Sequence, residues 1–300
     1  MKKLIILAAI LIVLVVVALV VQKNWKSRRS YKENSPIPSD VTESSITRLE
    51  IINGKDTVEV RKTDGKWVVM VNGEPKEANQ SLIEKRLQIL VNLKGEIVSK
   101  NPKNYEKFGV TENAHKVIAY NGNEKLVELY LGNSGPTFTS TYVRNPEMKE
   151  VFLVKSYLKS PFTSNIEGWR ERRIFLFKAD SIVRFAYISG KDTLYAERED
   201  STWKFNTRGD TSAIKNAINT VKALSAMDFE DTLSLEKTGL AKPREIFEIT
   251  LKDGSTYRLL VGKKRDKNSV YVKREDKDQI YLISNYQLNR MREPFKRKKK

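Results

Sequence analysis

Sliding the chain against itself by about 130 residues brings an ordered set of matches into line, and this repetition constrains the fold more than any single motif. Gly54, Lys55, Asp56 and Thr57 recur as Gly190, Lys191, Asp192 and Thr193, and Asp64 and Trp67 recur as Asp200 and Trp203. Further along the spacing shortens. Glu106, Lys107 and Gly109 match Glu236, Lys237 and Gly239, Leu131 and Gly132 match Val261 and Gly262, and Tyr142 and Val143 match Tyr271 and Val272. The run Val151–Val154 then matches Ile280–Ile283, and Pro161 and Phe162 match Pro294 and Phe295. An offset that drifts while the order holds is what two copies of one domain with different loop lengths produce. A domain of about 120 residues buries roughly two thirds of its unfolded surface, enough for each copy to hold its own core.

Apolar periodicity within each copy predicts short strands such as 67–71, 117–120 and 126–131. They are punctuated by Asn53-Gly54, Asp64-Gly65, Asn72-Gly73, Asn121-Gly122 and Asp253-Gly254, dipeptides that accept the positive φ of tight hairpins. Antiparallel sheet follows. One amphipathic helix is expected between the third and fourth strands of each copy, with Ile83, Leu87 and Leu90 inward in the first and Ile214, Ile218 and Val221 in the second. Asn79 and Asp210 precede these helices as N-caps.

Ahead of the repeats, Leu4 to Val21 is an unbroken run of apolar residues, roughly 27 Å long as a helix and close to the thickness of a bilayer core. No small-x-small cleavage pattern follows it, so it reads as an uncleaved signal anchor. Lys2 and Lys3 before the run are outnumbered by Lys23, Lys26, Arg28 and Arg29 after it, which by charge alone favours a cytoplasmic body. Large domains translocate with little regard to such charges, and the expectation is an extracytoplasmic, periplasmic body. The expected fold class is therefore α+β: an N-terminal transmembrane helix followed by two tandem duplicated domains, each a mainly antiparallel sheet with one long amphipathic helix. The expected divisions are an anchor over 1–22, a solvated stalk over 23–44, a first repeat over 45–162, an inter-repeat segment over 163–179, a second repeat over 180–295 and a basic tail over 296–300.

The net charge of +18 suggests a polyanion partner until its distribution is considered. Six Lys or Arg lie in residues 1–30 and five more in 296–300, so the body between carries only +7. Nucleic acid is accordingly not the expected partner. No cysteine and a single histidine exclude disulfides, thiolate nucleophiles, thiolate metal sites and most zinc chemistry.

Ser156-x-x-Lys159 with Lys237-Thr238-Gly239 resembles the serine machinery of penicillin-binding proteins. Ser201 with Lys204 and Ser212 with Lys215 share the spacing by accident, and Lys237 and Gly239 repeat Lys107 and Gly109, which marks them as structural. His115 reads as a surface residue. Gly132 to Gly135 lacks the Lys-Ser/Thr of a phosphate loop, and the acidic runs Glu197, Glu199, Asp200 and Glu275, Asp276, Asp278 lack calcium-loop spacing. No catalytic, cofactor-binding or metal-ligating residue is assigned. The densest aromatic and basic cluster, Trp169, Arg170, Arg172 and Arg173, is the candidate partner-binding site, because Trp and Arg dominate interface hot spots.

Together the anchor, Asp64-Gly-x-Trp67, Asn101-Pro102 with Tyr105 to Gly109, and Gly168-Trp169-Arg170 resemble the bacterial family known as domain of unknown function 4340. Resemblance to that family implies a membrane-anchored accessory protein, often beside ABC-type transport or gliding-associated components, with no established activity. The expected function is a non-catalytic, single-pass envelope scaffold or binding module. Its partners are the lipid bilayer through residues 4–21 and a protein of the cell envelope, with no cofactor and any small-molecule ligand left open. The alternative is a polyanion or anionic-surface binder using the basic termini; a serine hydrolase of penicillin-binding type is a distant third.

Overall fold

The computed structural model describes residues 32–207 and 209–296. The apolar run Leu4 to Val21 and the tail beyond Lys296 lie outside them; among the described residues no helix is long and apolar enough to cross a membrane. The chain divides into two compact units, with the division between Arg170 and Glu171. Both are built mainly of antiparallel sheet with few helices.

In the first unit β1 (Arg48–Asn53), β2 (Asp56–Thr63), β3 (Lys66–Val71), β4 (Glu74–Glu77), β5 (Gly95–Ser99), β6 (His115–Asn121), β7 (Glu124–Ser134), β8 (Thr141–Arg144) and β9 (Val151–Val154) form one sheet. Its order is β4-β3-β2-β1-β6-β7-β8-β9-β5. Asp64-Gly65 and Asn72-Gly73 turn with φ of 51° and 77°, and 51° and 84°, the left-handed pair that matches strand twist. Alternation places Leu49, Ile51, Val58, Val60, Val117 and Leu129 on one face, and α1 (Gln80–Val91) packs there through Ile83, Leu87 and Leu90. Asn79 caps this helix, its side chain accepting from Leu82 N at 3.1 Å.

The other face is covered only locally, where α2 (Tyr105–Phe108) lies with Val110, Tyr130 and Val151 in a separate apolar cluster. Strands buried on both faces lose their alternation, which is why Val151–Val154 reads as a continuous apolar run.

In the second unit the strands are β10 (Ile182–Ser189), β11 (Asp192–Glu199), β12 (Thr202–Phe205), β13 (Asp228–Glu230), β14 (Glu245–Leu251), β15 (Thr256–Lys264), β16 (Ser269–Arg274) and β17 (Ile280–Ser284). Their order, β12-β11-β10-β14-β15-β16-β17-β13, is that of the first sheet without β4. The register agrees as well: His115 faces Leu131 and Glu245 faces Val261, and each long strand slips its register just afterwards, before Ser134 and before Lys264. The helix α3 (Thr211–Lys222), capped by Asp210, buries Ile214, Ile218 and Val221, and α4 (Leu235–Thr238) takes the place of α2.

Several expectations are corrected. Because β4 is an added edge strand, α1 lies between the fourth and fifth strands of its unit, while α3 does follow the third. A further helix, α5 (Asn285–Arg292), packs Leu288 and Met291 into the second core; Ser284 and Gln287 form the capping box that starts it. Of the stalk expected over 23–44, residues 35–41 are part of the folded body. Ile37 and Val41 are fully buried in the first core, Ser35 Oγ donates to Leu93 O at 2.6 Å, and Asn145 Nδ2 donates to Pro36 O at 2.8 Å. Two apolar residues among Ser, Pro and Asp have no periodicity, so only packing reveals their role. Within the inter-repeat segment 163–179, Trp169 completes the first core, and Ile174 and Phe175 enter the second.

Truncating Ile37 to Ala should therefore destabilise the first unit by about 2–5 kcal/mol, read as a lower urea midpoint. An unchanged midpoint would mean that residues 35–41 do not belong to the folded body.

Candidate functional site

After β9 the chain crosses back over α1. Leu158 and Phe162 are buried, Asn165 caps the short 3-10 turn Ile166–Gly168, and Trp169 follows with no exposed surface. Trp169 Nε1 donates to Thr163 O at 2.8 Å within the strap, and Trp169 O accepts from Asn79 N at 3.0 Å, so the ring braces the strap internally while its backbone fastens it to the start of α1. Ala78 and Arg170 form an antiparallel bridge beside it, and Arg170 Nη1 lies 3.3 Å from Glu167 Oε1. Over the indole sits the guanidinium of Arg86, 3.9 Å from the ring centroid.

Arg86 is the residue that sequence reasoning missed. Only 6% of it is exposed, and neither its Nε nor its Nη1 has a hydrogen-bond partner. Burial lowers its pKa to about 10. Stacking on indole is the main attraction available to this buried charge, and cation–π contact offsets only part of the desolvation cost. The signal was present in the sequence: Arg86 follows Ile83 by three residues and precedes Leu90 by four, which puts a cation inside the apolar stripe of the helix.

Arg172 and Arg173 belong to the second unit. Arg172 Nη1 donates to Ala226 O at 3.2 Å and Met227 O at 2.8 Å, and Arg173 bridges to Ser225. Buried Glu171 accepts from the Arg173 backbone N and from Nε, both at 2.9 Å, and this pairing raises the Arg173 pKa. The four candidate residues are thus not gathered on one open surface. Trp169 and Arg170 are interior, and the half-exposed Arg173 is the most accessible of them.

The enzyme-like motifs have local structural roles. Lys237-Thr238-Gly239 ends α4: Gly239 has φ 77°, and buried Thr238 donates its hydroxyl to Ser234 O and Leu235 O, both at 3.1 Å. Lys107-Phe108-Gly109 ends α2 in the same way, with Gly109 at φ 67°. A Cβ at Gly132 would lie 2.2 Å from Phe108 O, and one at Gly262 would lie 2.3 Å from Thr238 O, so each shared glycine lets a strand bulge touch the end of a helix. Ser156 and Lys159 lie in the other unit from Lys237.

His115, expected at the surface, is only 7% exposed, and its Nε2 has no partner. Burial lowers its pKa, reinforced by the Lys159 charge and opposed by the Phe162 backbone. The acidic runs are engaged by cations: Glu197 with Arg184, Glu199 with Lys204, Glu275 with Arg258, and Asp276 with Arg274. Among the described residues no group of three His, Cys, Asp or Glu side chains could hold a metal ion.

Trp169→Ala should destabilise the first unit by about 3–5 kcal/mol in urea titration. Arg86→Met, which removes an unpaired buried charge, should leave the midpoint unchanged or raise it; a fall like that of Trp169→Ala would show that the guanidinium holds the strap. His115 makes stability depend on pH. An unfolded chain protonates His115 near 6.5, whereas the folded chain resists until lower pH, so the unfolded state binds more protons in that window. The His115 contribution is complete above 6.5 and drains as pH falls through the folded pKa. The fall in urea midpoint between pH 7.5 and 5 should shrink in His115→Gln, and an identical profile would rule this role out.

No curated protein and no solved structure matches the chain. A family profile described as Domain of unknown function (DUF4340) matches residues 67–243 and 206–298, well over half of the chain. The chain therefore belongs to the DUF4340 family.

Proposed function

We propose that this protein is a non-catalytic scaffold or binding module of the cell envelope, tethered to the membrane by residues 4–21 and presenting two copies of one α+β module outside the cytoplasm. One observation carries the reading: the second sheet follows the first strand for strand apart from β4, with matching register slips and matching glycine contacts. What the units have in common is thus scaffolding, including the lysine and glycine that suggest a hydrolase. A duplicated scaffold on an apolar leash suits presentation to a protein partner, such as a component of a transport complex.

One local observation favours an anionic ligand as the second reading. Beside Gly239 and Gly262 is a hollow of about 390 Å³ whose charged lining is Lys242, Arg244 and Lys263 with Glu236. Positions matching in register in the first unit carry Glu112, Ala114 and Asn133, so these cations are not required by the fold.

Fractionation and cross-linking test the first reading. The full-length chain should stay in the membrane after carbonate extraction, its body should be cut by protease added to intact spheroplasts, and mild cross-linking should capture a membrane-complex component. A body protected from protease, or a catch with no envelope protein, would overturn it. Capture of a polyanion that falls steeply with salt and is lost in Lys242→Ala/Arg244→Ala would instead favour the second reading.

A further inference from the structure

We infer that one end of the first sheet rests on the bilayer surface, with Phe138 seated among the lipid headgroups; this rests on the anchored reading above and deepens it. The register locates that end. Val154, the last residue of β9, pairs with Gly95, the first of β5, and with Thr141, the first of β8. Lys94, the 135–140 loop and the segment after Val154 with Lys155 and Tyr157 therefore share one end of the sheet.

The chain also enters here. Gly95 N donates to Asn34 O at 2.9 Å, and Lys32 Nζ donates to Val91 O at 2.7 Å. Asn34, Gly95 and Leu153 line a common hollow of about 540 Å³, with Lys94 and Lys155 balanced there by Glu33 and Glu96. Only ten residues, 22–31, separate Lys32 from the apolar run, a reach of at most about 35 Å. Lys23, Lys26, Arg28 and Arg29 lie among them, drawn to anionic headgroups. The end bearing residue 32 is thus the end tethered closest to the membrane.

Phe138 is built to reach outward. Gly135 N donates to Ser140 O at 3.0 Å, Ser140 Oγ donates to Thr137 O at 2.7 Å, and Thr141 Oγ1 donates to Ser156 O at 2.8 Å, so the base of the loop is fastened. At its tip the Phe138 ring is 95% exposed, and Tyr157 nearby is 45% exposed. An aromatic ring held in water gains by burial, and aromatic side chains collect at the membrane–water interface, as the half-exposed Tyr157 at the same end would also do. Loop packing does not account for Phe138, since almost none of its surface is covered.

The absence of cysteine makes the test direct. Thr139→Cys and Asn123→Cys, the latter at the opposite end of the sheet, are labelled with an environment-sensitive fluorophore in the full-length chain, one copy per nanodisc containing anionic lipid and headgroup-proximal nitroxide lipid. The label at 139 should be quenched at least three-fold more than the label at 123, and Phe138→Ser in the Thr139→Cys background should abolish the difference. Equal quenching in a chain that has inserted overturns the membrane contact and leaves the anchor standing. A chain that does not insert overturns both. Shielding at 139 that requires two copies per disc assigns the surface to a second chain and likewise overturns the proposal.

Discussion

A sheet of eight or nine strands presents a broad apolar face, and a single twelve-residue helix covers only part of it. How each unit covers the rest organises the molecule. In the first unit, Ile37 and Val41 enter from the N-terminal side, and Leu158, Phe162 and Trp169 return from the C-terminal side. In the second, Ile174 and Phe175 come before the sheet, and Leu288, Met291 and Phe295 come after it. Segments outside the sheet and its main helix thus complete both cores, because burial of apolar area rewards any chain that reaches the uncovered face.

Trp169 shows what this closure does to function. A Trp beside arginines has the composition of an interface hot spot, yet here the ring is buried in a strap fastened to α1 and carries the Arg86 guanidinium on its face. Composition records which side chains are able to bind; burial decides whether they are free to do so. Similar logic applies to Lys237-Thr238-Gly239, where the hydroxyl of Thr238 is occupied by helix carbonyls and the glycine supplies a left-handed backbone.

Residues held in common by the two units describe a scaffold, whereas residues that differ describe what each unit presents. The first offers Phe138 at a loop tip, and the second offers Lys242, Arg244 and Lys263 around a hollow.

Local chemistry was legible in the chain itself. Asp64-Gly65 and Asn72-Gly73 announce hairpins, Asn79 and Asp210 announce helix starts, and Ile83, Leu87 and Leu90 announce an inward face, since each depends on neighbours within four residues. The Ser284 to Gln287 capping box is equally local. The roles of Ile37, Trp169, Arg86 and His115 depend on partners tens of residues away, brought near only when the sheet closes. The sequence by itself determined the strand and turn pattern, the apolar run at the N-terminus and the absence of thiol chemistry. Tertiary structure alone decided which aromatic and charged groups are buried, because burial is a property of the assembled sheet and its covering segments and not of any stretch of chain.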